Sequence, residues 1–366
     1  MKPVSLLAAA IGLVFLGGLV VHFGTAGVLR SLLAVGWAGF AVICVIQLAL
    51  IAAMGVAWRV LLRRVPLWAA IWARLIRDSA SEVLPLSQVG GYVAGARAIA
   101  VTGVAGSTGA ASTIVDVTLE FLAQIAYTAI ALSWLLHLDP RARVAAPVAT
   151  GLVVAALMAV GFLIAQRRGF GVLDRLAGAL GQGWAERTAA GAAGLHAAIG
   201  DTYTYRAGLW VSFAIHLFCW VASAAEIWLA LRFLGAPLDF GAVLVIESLL
   251  YAIRSVAFAV PNAVGVQEAA YVVLGLSFGL TPETALALSL LKRGRDLAIG
   301  VPALGAWQLI ESERLCRRGC RGHRRVQNET PVAAPGVSGP ATGVSGLAPG
   351  GKSRTGASFA TTNGET

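Results

Sequence analysis

The stretch Arg77–Ala98, RDSASEVLPLSQVGGYVAGARA, decides how the chain is built. It lies within the segment 67–103, where Arg74, Arg77, Asp78, Glu82, Pro85, Gly90, Gly91, Gly95 and Arg97 interrupt an otherwise apolar run. That segment is too broken to be one ordinary span. The pattern predicts two short arms, a helix to about Leu84, a break over Pro85–Gly91 and a second helix, which together make a re-entrant hairpin. The first arm carries Arg74, Arg77, Asp78, Ser81 and Glu82 at i, i+3, i+4, i+7 and i+8, so both signs of charge share one stripe. Arg74 can pair locally with Asp78, as a neutral interfacial ion network would. Arg77, Asp78 and Glu82 are candidate functional residues, with Ser81 on the same face.

The rest of the chain supplies the solvent for such a hairpin. Of 366 residues, 58% are hydrophobic and 13% charged, and the mean hydropathy is +0.78. Soluble domains carry roughly 25% charge, so the composition is that of an all-α polytopic membrane protein and excludes an ordinary soluble enzyme. The formal charge of +10 is local, because six Arg lie between Arg314 and Arg325, just past an apolar segment. That placement marks a cytoplasmic membrane face and argues against nucleic acid as a partner. Cys316, Cys320 and His323 have helical metal-ligand spacing, but three ligands among repelling Arg make a poor site, and no metal or other cofactor is expected.

Outward from the hairpin, the run 4–21 reads as a retained anchor, and 37–58 as a span with Trp37 and Trp58 at its two interfaces. Arg59, Arg63, Arg64, Arg74 and Arg77 follow that span, which places both this connection and the N-terminus in the cytoplasm. Spans are predicted at 110–136, 145–165 and 207–231, with a cytoplasmic amphipathic segment over 166–206. The membrane domain runs over 1–315, with about six to eight transmembrane helices. A basic and then disordered cytoplasmic tail occupies 316–366.

The broken pattern returns over 241–310. An arm to Ala259 stops at Pro261, Asn262 and Gly265, a second arm reaches Leu280, and a segment from Pro282 carries Lys292, Arg293, Arg295 and Asp296 near its middle. Pro85 precedes Ser112 by 27 residues and Pro261 precedes Ser289 by 28, with an ionisable residue four positions after each Ser, Asp116 and Arg293. The halves 67–165 and 241–310 are separated by an odd number of predicted crossings, so their hairpins open to opposite sides. This is an inverted repeat, the plan of secondary transporters with a site at the midplane. Packed helices merely kinked by Pro and Gly are the simpler alternative.

Within 110–136, Ser112, Asp116, Glu120, Gln124 and Thr128 recur every fourth position and share a helix face. Hydrogen bonding between helices accounts for Ser112, Gln124 and Thr128, whereas Asp116 and Glu120 are costly in lipid unless paired or wet. In the second half Glu247, Tyr251 and Arg254 share a face, and Gln267 and Glu268 follow the break. If the segment from Pro282 is a single helix, Lys292, Arg293, Arg295 and Asp296 lie opposite Asp116 and Glu120, which allows ion pairing across the repeat, with Arg293 and Asp116 as the pair to test by charge reversal. His22, His137 and His216 lack helical partners and read as incidental. No phosphate loop, serine elbow or zinc helix is present in the sequence.

Taken together, Arg77–Ala98, Ala111–Gln124 (ASTIVDVTLEFLAQ), Ala252–Tyr271 (AIRSVAFAVPNAVGVQEAAY) and Ala287–Gln308 (ALSLLKRGRDLAIGVPALGAWQ) resemble the hopanoid-associated branch of the lysylphosphatidylglycerol synthase transmembrane-region, flippase-like superfamily. The resemblance covers about residues 1–315. It implies a multi-pass bacterial inner-membrane protein that moves a hopanoid or an anionic lipid, with hopanoid-pathway enzymes as partners. Full synthases of the superfamily carry a soluble aminoacyl-transferase domain after the membrane region, and only a short tail follows Ile310 here, so lysyl transfer is not implied and no catalytic residue is assigned. The positions that carry the resemblance are Arg77, Asp78, Ser81, Glu82, Pro85, Gly90, Gly91, Arg97, Asp116 and Glu120, then Arg254, Pro261, Gly265, Gln267, Glu268, Lys292, Arg293, Arg295 and Asp296. Two further readings stand beside lipid transport. One is a membrane-embedded hopanoid-modifying enzyme using Asp116, Glu120 or Glu268 as acid or base, and the other a scaffold for the pathway.

Overall fold

A computed structural model describes residues 21, 25–63, 65–84, 87–138, 145–168, 182–257 and 260–328. The anchor expected over 4–21 lies outside these residues except for Val21, and so do Pro85 and the tail beyond Asn328. Among the described residues the chain is helical throughout, without a strand. Lipid offers no partner to a backbone N–H or C=O, and a helix satisfies both within its own segment.

Helix α1, Thr25–Leu62, is kinked at Gly36, whose φ of 62° belongs to the left-handed region. After Pro66 come the two arms of the first hairpin, α2 (Leu67–Val83) and α3 (Ser87–Ala100). They are followed by α4 (Gly106–Leu138), α5 (Ala145–Arg168), α6 (Gln182–Thr204) and α7 (Arg206–Phe233). The second hairpin is α8 (Phe240–Val256), a 3₁₀ turn at Pro261–Ala263 and α9 (Val266–Ser277), and α10 (Pro282–Asn328) completes the described chain. Helices α1, α4, α5 and α7 contain the stretches long and apolar enough to cross a membrane. Of these, α5 turns Val153, Val154, Leu157, Met158 and Val160 outward, as a lipid-facing helix does.

Apolar helices gain little from burial against one another in lipid, so close contact must come from small residues and polar bonds. The first hairpin shows how. Ala69, Ala70, Ala73 and Ala80 line the buried side of α2, and α3 approaches so closely that a Cβ at Gly91 would fall 2.6 Å from the Arg77 carbonyl oxygen and 1.8 Å from Ser81 Oγ. A Cβ at Gly95 would lie 2.8 Å from Arg77 Cβ. Gly90 and Gly91 therefore sit inside α3 and not in the break, which is shorter than the sequence suggests. The lack of side chains at Gly91 and Gly95 sets the distance between the arms and does not bend the chain. At Gly300, α10 passes α2 with room for no more than a hydrogen beside Val83.

Among the described residues three apolar clusters result, one of them about Leu61, Val115 and Ile199, and the other two surround the hairpins. One gathers Trp58, Ala69, Ile76, Ile99 and Trp307 from α1, α2, α3 and α10 around the first hairpin. The other packs Tyr127, Trp220, Leu231, Leu250, Tyr271 and Leu286 around the second. Trp58 is fully buried and its indole N–H donates to Ser112 Oγ at 3.1 Å, so it is not the interfacial residue its position in the sequence implies. Trp37 is exposed.

Candidate functional site

The stripe on α2 faces the stripe on α4. Arg74 donates to Asp78 Oδ2 at 2.8 Å, to Glu120 Oε1 at 2.7 Å and, at 3.5 Å, to Asp116 Oδ2. Arg77 donates to Asp116 Oδ2 at 2.6 Å and to Glu120 Oε2, while its guanidinium lies 4.8 Å over the Tyr92 ring. Arg74, Arg77 and Asp116 are buried. Isolated, each charge would be prohibitive in this position, and forked guanidiniums satisfy several carboxylate oxygens at once.

A second set gathers about α10. Lys292 Nζ donates to Glu247 Oε2 at 2.7 Å and to the Tyr271 hydroxyl at 3.0 Å, and that hydroxyl donates to Glu247 Oε1. Arg293 donates to Glu268 Oε1, whose other oxygen accepts the Gly265 N–H at 2.6 Å. Gly265 has a φ of 85°, which only glycine adopts readily, so the break in the second hairpin and the anchoring of Glu268 are one local structure. Gln267 donates to Ser289 Oγ at 3.1 Å. Arg295 donates to Glu226 Oε1 of α7 and to the neighbouring Asp296 at 2.8 Å.

The hairpins meet at Glu82. Both oxygens of its carboxylate accept from Arg254 Nη2, at 2.8 and 2.9 Å, and its backbone carbonyl accepts from Asn262 Nδ2 in the 3₁₀ turn. Two cavities adjoin this bridge. One, of about 140 Å³, is walled by ions of both signs, among them Asp78, Glu120, Lys292 and Arg295. The other, of about 310 Å³, adds the apolar side chains of Val117, Phe121 and Trp220. Glu82, Tyr92, Glu120, Tyr251 and Arg254 line both, so a charged chamber and a part-apolar vestibule share a wall. Ser81 lines the smaller one.

The pairing differs from expectation in one respect. Arg293 does not pair with Asp116. It is held by Glu268 in its own hairpin, whereas Asp116 is occupied by Arg77 and by His216 Nε2 at 3.0 Å. The contact across the repeat is Arg254 with Glu82. His216, read as incidental, is fully buried beside Asp116. Arg97 is half-exposed on α3, pairs with Glu311 and lines neither cavity. Pro261 opens the 3₁₀ turn. Sequence reasoning also passed over Glu226 and gave Arg74 only a local role. The available signal was an ionisable residue inside an apolar run, which applies to Glu226 and His216 alike.

The family model for the lysylphosphatidylglycerol synthase transmembrane region matches residues 5–303. The chain belongs to this family. No curated protein and no solved structure matches the chain. The match takes in both hairpins, all of α4, and the ionic segment of α10, so the buried charges described above lie within the family's domain. Membership assigns a membrane protein with a lipid-related role.

Proposed function

We propose that this member of the family moves a polar-headed lipid across the inner membrane of a bacterium. The substrate is a hopanoid or another lipid of that pathway, and the protein acts as a flippase and not as a synthase. The observation that carries the reading is the charged chamber shared by the two broken-helix hairpins and joined to a part-apolar vestibule. A head group can exchange hydration for ions of both signs in the chamber, while its hydrocarbon remains against Val117, Phe121 and Trp220 or in lipid. The larger cavity lies at the lower end of the range for small-molecule sites, roughly 300–1,000 Å³, which fits a head group and excludes a whole lipid. The bridge from Arg254 to Glu82 is then the contact that a rocking of one hairpin against the other breaks and remakes. Within this reading both termini are cytoplasmic and the hairpins are related by inverted topology.

Deleting the gene and measuring hopanoids in separated inner and outer membranes by mass spectrometry tests it, with complementation by wild type, Arg254→Ala and Arg293→Ala. The expected result is an unchanged total with an altered distribution, restored by wild type and by neither variant. Loss of one hopanoid species with accumulation of its precursor would instead assign the protein to the chemistry of the pathway.

A further inference from the structure

Two buried polar atoms one turn apart on α7 have no hydrogen-bond partner, and neither residue lines the ion-walled chamber. His216 is 0% exposed, its Nε2 lies 3.0 Å from Asp116 Oδ1, and its Nδ1 bonds to nothing. Ser212, one turn earlier on the same helix face, is also 0% exposed with an unpartnered Oγ. Unsatisfied polar atoms are costly in such a setting and rarely persist without a use. Charge gives a second reason to look here. Arg74 and Arg77 face three carboxylates, Asp78, Asp116 and Glu120, so the cluster carries one more negative than positive charge. A single added positive charge beside Asp116 would balance it.

We infer that His216 is a proton-binding site that makes lipid movement responsive to a proton gradient. The Nε2–H donates to Asp116, and a proton taken from water onto Nδ1 converts the ring to imidazolium and neutralises the cluster. Release of that proton to water restores the excess negative charge, and no other bond forms or breaks. Imidazolium competes with Arg77 for Asp116, which loosens the guanidinium that also holds Glu120 at the chamber wall. This last step rests on the lipid-moving function proposed above; proton binding itself does not.

Among the described residues Asp116 is the titratable group in hydrogen-bonding contact with His216. From α4 come Asp116 and Glu120, and from α2 Arg74, Arg77 and Asp78. Helix α1 contributes the Met54 sulfur near Arg74 and no carboxylate. Of its titratable groups, Cys44 sits by Arg295 and Glu226, and Arg30 and Arg59 complete the set, while Arg63, just past its end, stacks on Tyr205 at the foot of α7. On α8, Glu247 is held by Lys292 and Arg254 by Glu82. On α7 itself Cys219 is buried nearby, and Glu226 is bound to Arg295.

The test follows the imidazole nitrogens by ¹⁵N NMR in the full chain labelled at histidine, from pH 5 to 9, with the His216 signals identified by their loss in His216→Gln. The expected result is reversible protonation of Nδ1, with a proton affinity about tenfold lower in Asp116→Asn and retained in Asp116→Glu. An Nδ1 state constant over this range, or a titration indifferent to Asp116→Asn, overturns the site. Should His216→Gln fail to fold, the Asp116 pair identifies the affected signals independently. A second arm uses vesicles of phosphatidylethanolamine and phosphatidylglycerol with a fluorescently labelled hopanoid as the probe. A pH gradient of two units should change its transfer rate at least threefold for wild type and leave His216→Gln unchanged. Equal rates with and without the gradient in wild type overturn the coupling. A probe that does not move under any gradient overturns the lipid-moving function, while the nitrogen titration still decides the proton site.

Discussion

Replacing Lys292 by Met should destabilise the membrane domain far more than any surface change, and replacing its partner as well should recover much of the loss. Lys292 and Glu247 are both buried, their charges meet at 2.7 Å, and the Tyr271 hydroxyl both donates to Glu247 and accepts from Lys292. Met fills the space of the lysine stem but leaves the Glu247 carboxylate without a counter-charge, a loss of about 3–5 kcal/mol for a broken buried pair. In Lys292→Met with Glu247→Gln no charge remains, and the glutamine carbonyl still accepts the Tyr271 O–H. The remaining cost is an amide N–H₂ without a good acceptor, about 1–3 kcal/mol. The double variant should therefore be the more stable of the two, despite carrying more changes. The assay is the apparent thermal midpoint in detergent by tryptophan fluorescence, where each kcal/mol corresponds to roughly 2–4 °C in a large domain. A Lys292→Met variant that melts within 2 °C of wild type, or a double variant that melts no higher than Lys292→Met, would refute the account of the pair as a desolvated ionic unit.

Other consequences follow from particular contacts. Gly91→Ala places a Cβ against the Arg77 carbonyl and Ser81 Oγ and should cost about 1–3 kcal/mol, and adding Ser81→Ala should return only part of it because the carbonyl cannot move away; paired melting curves check both. Trp58→Phe removes the N–H donated to Ser112 and should cost about 1–2 kcal/mol by the same measurement. Arg97→Ala breaks a half-exposed bridge to Glu311 and should shift stability by less than about 1 kcal/mol, with complementation of the gene deletion intact. Exchanging the charges of Arg254 and Glu82 should rescue lipid distribution where either single reversal fails, provided the bridge acts as a contact between hairpins; failure of the double exchange would assign at least one of them to the head group.

How much was legible in the sequence varies with the range of the interaction involved. Periodicity and the cost of charge in lipid are local, so the two hairpins and the α4 stripe of Ser112, Asp116, Glu120, Gln124 and Thr128 could be read directly. Arg74 and Asp78 are one turn apart, and their pairing was equally open to inspection. The glycines of α3 misled, since a Gly pair beside a Pro suggests a loop, and only the neighbouring arm shows that Gly91 is there to admit the Arg77 carbonyl. Trp58 misled for a related reason: a tryptophan at the end of an apolar run can face the interface or the core, and the choice depends on where Ser112 lies.

The composition alone made the chain a helical membrane protein, because no other backbone arrangement than helix or closed barrel survives in lipid and the runs are too long and apolar for barrel strands. Sequence likewise placed ionisable residues inside spans and so required that they be paired or wet. Which partner each would take was decided by tertiary structure. Arg293 belongs to Glu268 and not to Asp116, Asp116 belongs to Arg77 and His216, and Glu82 joins the two hairpins, with partners 25, 39, 100 and 172 residues apart along the chain. Coulomb attraction selects sign but not identity, and among so many carboxylates and guanidiniums only the packing of helices against one another brings particular pairs within hydrogen-bonding distance.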